Sequence, residues 1–305
     1  MRAVIVGAVG STAVAIEEVG NAHGWTLPLV VTLPDELRGR HSDFHDLEPL
    51  AARAGARLHR AGNSNEPDTI AAIRAVDPDY VLVIGWSQIC RREFLDVCRG
   101  KTIGYHPAPL PRLRGRAAIP WTILLNEPIT AGSLFWLAEG TDTGDILRQE
   151  FFHVARRETA QTLYDRHMSA LRSMLQGVLP ELASGIERRV AQDERYATWA
   201  ARRTERDGLI DWRSSAEAID RLVRAVGRPY PGAFTHFSGE KLVVWRASAV
   251  SEGEQHHAMP GQVVALGENS LTVQTGRGLL EIQEWQHGEG SRPPRLHQVL
   301  GGIDR

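Results

Sequence analysis

Cysteine is nearly absent from this chain: 2 residues among 305, Cys90 and Cys98. Two thiols cannot build a disulfide framework, and their spacing matches no zinc motif; they read as half-buried thiols in a reducing compartment. Also missing is an apolar run of the roughly 18 residues that a membrane helix requires. The opening stretch, Met1-Arg2-Ala3-Val4-Ile5-Val6-Gly7, reads as a strand entering a glycine turn and not as a leader peptide. Charge of a single sign is lacking too. With 35 basic and 37 acidic residues the formal net charge is -2, so no overall electrostatic pull toward nucleic acid or membrane exists. The basic residues are nearly all arginine, a bias of composition that singles out no partner. No internal repeat or low-complexity tract interrupts the chain. A content of 42% hydrophobic and 24% charged residues describes a soluble, cytoplasmic protein with one large domain or two ordinary ones.

Within residues 1–188, strand-length apolar runs alternate with helical patterns. Ala3 to Val6, Leu27 to Thr32, Arg57 to His59, Tyr80 to Ile84, Thr102 to Tyr105, Ser133 to Leu137 and Ile146 to His153 read as strands. Between several of them lie helical segments such as Thr12 to Val19, Pro67 to Val76 and Pro120 to Leu125. A long amphipathic helix is expected over Thr162 to Leu182, with Leu163, His167, Leu171, Leu175 and Leu179 near one face. The alternation predicts an α/β domain, Rossmann-like, with a mostly parallel sheet covered on both sides. Residues 189–207 are charged and weakly periodic, and are expected to form a linker crossing a surface. In 208–305 a helix, Ala216 to Val226, and the rigid turn Arg228-Pro229-Tyr230-Pro231-Gly232 precede five short strands between Ala233 and Trp285. That pattern predicts a small β-rich, open-barrel (OB-like) domain.

The turn Gly7-x-x-Gly10-Ser11 suggests dinucleotide binding only superficially. It lacks the third glycine in register, and no acidic residue closes the second strand, so it reads as a strand-to-helix reversal. His106 is more informative. It follows a strand, where open α/β sheets bind ligands, and Pro107 and Pro109 stiffen its loop. A neutral imidazole there can accept a proton from an amine, and a protonated one can steady a developing oxyanion. A strand-capping histidine would look the same from position alone. Asp142 lies after another strand, in a turn with Gly140 and Gly144, where a carboxylate can orient the ring of a histidine. Asp145 reads as a turn residue. Arg112, Arg114 and Arg116 could grip a phosphate or carboxylate, although Arg114 could instead brace its loop. Trp86, Ser87 and Gln88 offer a flat ring and two polar groups at the same sheet edge; a core tryptophan explains Trp86 equally well.

Taken in order, the Gly-Trp-Ser-Gln loop, His106-Pro107, Leu110-Pro111-Arg112-x-Arg114-Gly115 and Asp142-Thr143-Gly144-Asp145 resemble the 10-formyltetrahydrofolate-dependent formyltransferases. Ile210-Asp211-Trp212, Arg228-Pro229-Tyr230-Pro231-Gly232-Ala233 and Val243-Val244-Trp245-Arg246-Ala247 extend the likeness to the family's C-terminal open barrel. The resemblance implies transfer of a formyl group from 10-formyltetrahydrofolate to a primary amine, with His106 and Asp142 as catalytic residues. It implies that the pterin lies between the loop of Trp86, Ser87, Gln88 and Ile89 and the segment holding Leu137, Gly140 and Asp142, bound mostly by backbone. One departure matters. The family pattern Asn-x-His reads Gly104-Tyr105-His106 here, so the side chain that helps hold the oxyanion is missing. Cationic His106, Gln88 or a backbone N–H near Gly104 are the candidates for supporting it.

The resemblance leaves the acceptor open between two readings. Arg114-Gly115-Arg116 with Trp121 looks more like the UDP-sugar branch than the tRNA branch, where two alanines follow the glycine. The serine before Leu110-Pro111 is missing, as is the longer basic insertion of the tRNA enzymes. These features point to a small-molecule amine acceptor, an amino sugar carried on a nucleotide or an amine of specialised metabolism, with Arg112, Arg114 and Arg116 as substrate contacts; no metal site is expected. Initiator tRNA is the runner-up, through Arg188, Arg189, Arg202, Arg203 and Arg206, although Asp193, Glu194, Glu205 and Asp207 interleave with them. A third expectation is that the barrel serves as a packing surface, including one in a homodimer.

Overall fold

The computed structural model describes residues 1–40, 42–250, 256–288 and 292–301. The chain divides into two compact units, and the division is not sequential. The first comprises Met1–Ala118, Pro128–Val154 and Tyr164–Ala201; the second comprises Ile119–Glu127, Ala155–Leu163 and Arg202–Arg305.

In the first unit, strands β1 (Arg2–Val6), β2 (Thr26–Thr32), β3 (Arg57–Arg60), β4 (Tyr80–Val83) and β5 (Thr102–His106) alternate with helices. These helices are α1 (Gly10–Asn21), α2 (Glu48–Arg53), α3 (Pro67–Ala75) and the short α4 (Arg92–Leu95). Then come β6 (Arg114–Gly115), α5 (Ala118–Leu124, in the second unit from Ile119 on), β7 (Ile129–Trp136), β8 (Ile146–His153), α6 (Ala160–Ala183, in the first unit from Tyr164 on) and β9 (Trp199–Ala200). Seven strands form one sheet in the order β3-β2-β1-β4-β5-β7-β8, parallel as far as β5 and antiparallel at β7 and β8. The mostly parallel, Rossmann-like sheet expected from the alternation is therefore present.

Its inner strands β1, β2 and β4 are largely apolar on both faces because both faces are covered. Ile5, Leu82 and Ile103 pack with Ile16 and Val19 of α1 and with Leu171, Leu175 and Leu179 of α6. Val4, Val6, Val81 and Val83 pack on the other side with Ile70 and Ile73 of α3 and with Phe94. Cys90 and Cys98 lie in that second layer at 7% and 5% exposure, more deeply than the half-buried state expected, and burial pushes the Cys90 thiol up to about 12.

In the second unit, Ser215 caps α7 (Ala216–Val226) by accepting the Ala218 amide at 3.2 Å. Strands β10 (Ala233–Phe237), β11 (Glu240–Val250), β12 (Val263–Leu266), β13 (Leu271–Gln274) and β14 (Leu279–Gln286) form an antiparallel sheet in the order β10-β11-β14-β13-β12. Among the described residues no helix is long and apolar enough to cross a membrane.

Two local features position the site. Residues up to 201 of the expected linker belong to the first unit: Val190 exchanges backbone hydrogen bonds with Ile146, and β9 pairs with β6. The first glycine turn is consumed by packing. The Thr12 hydroxyl, fully buried, donates to the Ile84 carbonyl at 2.6 Å and accepts the Val9 amide at 3.2 Å. Thr12→Val keeps the shape and strands both backbone groups, so it should cost about 1–3 kcal/mol. A denaturant titration reads this as a lowered midpoint, with Thr12→Ser recovering most of the loss.

Candidate active site

His106 is the last residue of β5, opposite Ser133 of β7, and is 6% exposed. The proline loop after it is tied to the sheet. The Ser133 hydroxyl donates to the Ala108 carbonyl at 2.6 Å, and the Gln149 amide donates to the Leu110 carbonyl at 2.9 Å. This carries the chain back so that the Leu113 carbonyl meets His106 Nε2 at 2.7 Å. A carbonyl only accepts, so Nε2 carries the proton in the neutral ring and Nδ1 keeps its lone pair. Nδ1 faces Asp142, with Oδ2 at 3.6 Å. A proton arriving at Nδ1 would therefore be met by a carboxylate.

Asp142 is fixed in turn. Its Oδ2 accepts the Gly115 amide at 2.8 Å, and its backbone has φ +54°, a left-handed conformation that Asp tolerates better than most residues. Gly115 has φ +108°, and a Cβ there would stand 2.5 Å from the Ala200 carbonyl oxygen, so only glycine fits between Asp142 and β9. The segment 113–116 thus works on two edges. The Leu113 carbonyl and Gly115 amide reach His106 and Asp142, while the amides of Leu113, Arg114 and Arg116 bond to residues 198–200.

The side chain of Arg114 does not face a substrate. It is 1% exposed; Nε and Nη2 donate to Gln192 Oε1, and Nη1 and Nη2 form a fork onto the Glu194 carboxylate at 2.9 and 2.7 Å. That fork holds the Glu194 carboxyl below the usual carboxylate range. Arg114 is accordingly withdrawn as a substrate contact: it is the brace that the sequence left as the alternative. Arg112 and Arg116 are exposed on either side of it. Gln192 and Glu194 were missed by sequence reasoning, because a charged, weakly periodic segment resembles a solvated linker. No local pattern marks them; the signal lies in Arg114, a buried cation that needs partners.

The other expected residues group around the end of β4. Gln88 donates its amide to the Gly62 carbonyl at 2.8 Å, an occupation different from the oxyanion support expected of it. It lines a cleft of about 600 Å³ with Arg40, Asn65, Glu66, Ile89 and Arg91. Ile89 is 67% exposed there. Trp86 packs against the second core layer, yet its buried Nε1 and the buried Oε1 of Gln88 have no hydrogen-bond partner. Ser87 is exposed on the same loop. Leu137 donates its amide to the Thr102 carbonyl at 2.8 Å and starts the turn holding Gly140 and Asp142. On the other face of the sheet, Tyr105 is bonded to His167, whose ionisation is pushed down to about 3 by burial and, less, by His106.

The first unit is thus an α/β domain with a histidine at the end of one strand beside an aspartate from the turn after another, at the sheet edge where such folds bind ligands. The chain belongs to the formyl transferase family: the family profile "Formyl transferase" matches residues 2–179, and "Formyl transferase, C-terminal domain" matches residues 203–295. The family resemblance read from the motifs thus holds, and the chain is a formyltransferase of the kind that takes its one-carbon group from 10-formyltetrahydrofolate. A methionyl-tRNA formyltransferase of Agathobacter rectalis is 28% identical over 288 residues, 94% of this chain and 92% of the relative. In fold, the chain is similar to an N-formyltransferase from Helicobacter canadensis, solved with folinic acid and dTDP-3-aminofucose. The TM-score is 0.68 at 16% identity, covering 93% of this chain and 99% of that one. HypX from Aquifex aeolicus, solved with tetrahydrofolic acid, matches with a TM-score of 0.66 at 18% identity over 94% of this chain, which spans only 44% of HypX.

At Gly104, where the resemblance expects an asparagine, the structure leaves little room for a side chain. Residues two apart on a strand share a face, so a side chain at 104 would lie beside His106. A Cβ there would stand 2.7 Å from Leu137 Cδ2 and 2.9 Å from Phe135 Cε1, and Phe135 is 2% exposed. Carbon fills the space an asparagine would need. Gly104→Asn should therefore overpack the sheet edge by about 1–3 kcal/mol, lowering the thermal midpoint without raising turnover. An asparagine variant that is both as stable and faster would show that the space is merely vacant.

Proposed function

We propose that the chain transfers a formyl group from 10-formyltetrahydrofolate to the primary amine of a small molecule, an amino sugar carried on a nucleotide, with His106 and Asp142 as the catalytic pair. The observation that carries the roles is the 3.6 Å approach of His106 Nδ1 to Asp142 Oδ2 while Nε2 is held by Leu113. An attacking amine must lose a proton. His106 takes it at Nδ1: the amine N–H bond breaks as the amine nitrogen bonds to the formyl carbon, an Nδ1–H bond forms, and Asp142 stabilises the imidazolium. That proton then passes to the folate nitrogen as its bond to the formyl carbon breaks. Because carbon fills the face beside Gly104, that imidazolium supplies the positive charge the family's asparagine otherwise supplements.

The loop after β4 suits a folate. Two buried polar atoms, Trp86 Nε1 and Gln88 Oε1, lack partners, and exposed Ile89 and a cleft of ordinary ligand size adjoin them. A flat ring carrying donors and acceptors meets those needs, and the family resemblance puts the backbone from Leu137 to Asp142 on its other side. Bound there, the folate supplies the formyl carbon.

Exposed Arg112 and Arg116 support an anionic acceptor. The arginines that a tRNA path would use support it as well, because several are engaged within the chain. Arg188 pairs with Glu181 at 3.4 Å, Arg189 stacks on Trp136 at 3.9 Å, and Arg203 donates to the Asp207 carbonyl at 2.6 Å. Initiator tRNA stands as the second reading, favoured by the 28% identity to a methionyl-tRNA formyltransferase. Turnover of 10-formyltetrahydrofolate against a panel of nucleotide-linked amino sugars and charged initiator tRNA separates the two. Sugar nucleotides should be formylated and tRNA should be poor; efficient tRNA formylation at physiological salt would award the case to tRNA. With the acceptor so identified, His106→Ala and Asp142→Ala should each lose about a hundredfold or more in rate. Undiminished turnover in both would remove the proposed roles.

A further inference from the structure

We infer that Gln192, held by Arg114 and Glu194, positions the catalytic pair for proton transfer; this rests on the assignment of His106 and Asp142 above. Each hydrogen-bonding group of the Gln192 carboxamide is used. Its Nε2 donates to the Asp142 carbonyl at 2.8 Å and to the Gly144 carbonyl at 2.7 Å, and its Oε1 accepts from Arg114 Nε at 3.1 Å and Nη2 at 2.7 Å. The Arg114 fork onto Glu194 completes the chain of contacts.

These contacts join the two loops that define the pair. The turn 142–144 brings the Asp142 carboxylate, and the segment 113–115 brings the Leu113 carbonyl that sets the His106 tautomer and the Gly115 amide that anchors Asp142. Neither loop is otherwise rigid by regular structure: β6 has two residues, and Asp142 sits in the left-handed region, which most L-residues avoid. A side chain that fastens the Asp142 carbonyl while gripping Arg114 sets the distance between Asp142 and His106. Gln192 is therefore a positioning residue: it touches neither His106 nor the Asp142 carboxylate, and it acts through the turn. Errors of about 1 Å in such a constellation cost about a hundredfold in rate. The segment that carries Gln192 thus belongs to the machinery of transfer.

Two variants test this. Gln192→Glu keeps the oxygen that Arg114 needs and replaces both donors to the 142–144 turn with an oxygen that repels the two carbonyls; Gln192→Leu removes all four contacts at similar size. Tetrahydrofolate affinity, kcat, and the ¹⁵N resonances of the His106 imidazole at alkaline pH are measured for each. Both variants should bind tetrahydrofolate as the parent does and lose about a hundredfold in kcat. The parent should show one tautomer with the proton on Nε2, and the variants two nitrogens drawn toward a common shift. Unchanged kcat and tautomer would overturn the inference, as would a loss of tetrahydrofolate affinity and thermal midpoint in step with kcat, which marks a brace only. A parent-like rate in His106→Ala would instead overturn the underlying assignment, whatever the Gln192 variants do.

Discussion

Asp142 holds the site together by being shared. One oxygen of its carboxylate takes the Gly115 amide and faces the ring of His106, while its backbone carbonyl is fastened by Gln192. Remove that residue and the proline loop, the turn after β7 and the strand end at His106 have no common anchor. Once His106 carries a second proton, the 3.6 Å separation makes an ion pair, and because both residues are largely withdrawn from water the two charges interact more strongly than they would on a surface. The arrangement suits a base that must become a cation and then give its proton back.

Around that anchor the chain spends buried polar groups freely. Arg114 is fully enclosed, and the cost of enclosing a guanidinium is offset by satisfying its donors through Gln192 and a carboxylate fork. Ser133 and Gln149 do the same for the carbonyls of the proline loop. Such networks rigidify when every member is satisfied, which is what two loops with little regular structure require. Two of the buried groups left without partners, Trp86 Nε1 and Gln88 Oε1, lie apart from these networks on the loop after β4, where a ligand can meet them.

Much of this was legible in the residue order. The alternation of apolar runs predicted the parallel sheet, and His106 and Asp142 could be singled out because each stands at or just past a strand end within a family motif; the structure brings the two to 3.6 Å. Arg114 was half legible: its loop could be read, but its partners lie about eighty residues later in a segment without periodicity. That Gly104 replaces asparagine was plain, whereas the cause was not, since it lies in how Phe135 and Leu137 of the neighbouring strand and turn pack across it. The interleaving of 119–127 and 155–163 with the second unit was invisible for the same reason. Contacts between distant segments leave no local mark.

The account stands or falls on whether the carboxylate of Asp142 works on His106, and Asp142→Asn asks this with almost no change of shape. One atom, Oδ2, both accepts the Gly115 amide and faces Nδ1, so an asparagine oxygen kept there for Gly115 puts a neutral carbonyl beside His106 and removes the charge that would stabilise the imidazolium. Tetrahydrofolate binding and single-turnover formyl transfer to the identified acceptor are measured side by side. The account predicts parent-like binding with transfer slowed about a hundredfold or more. Transfer at the parent rate with binding intact would contradict it.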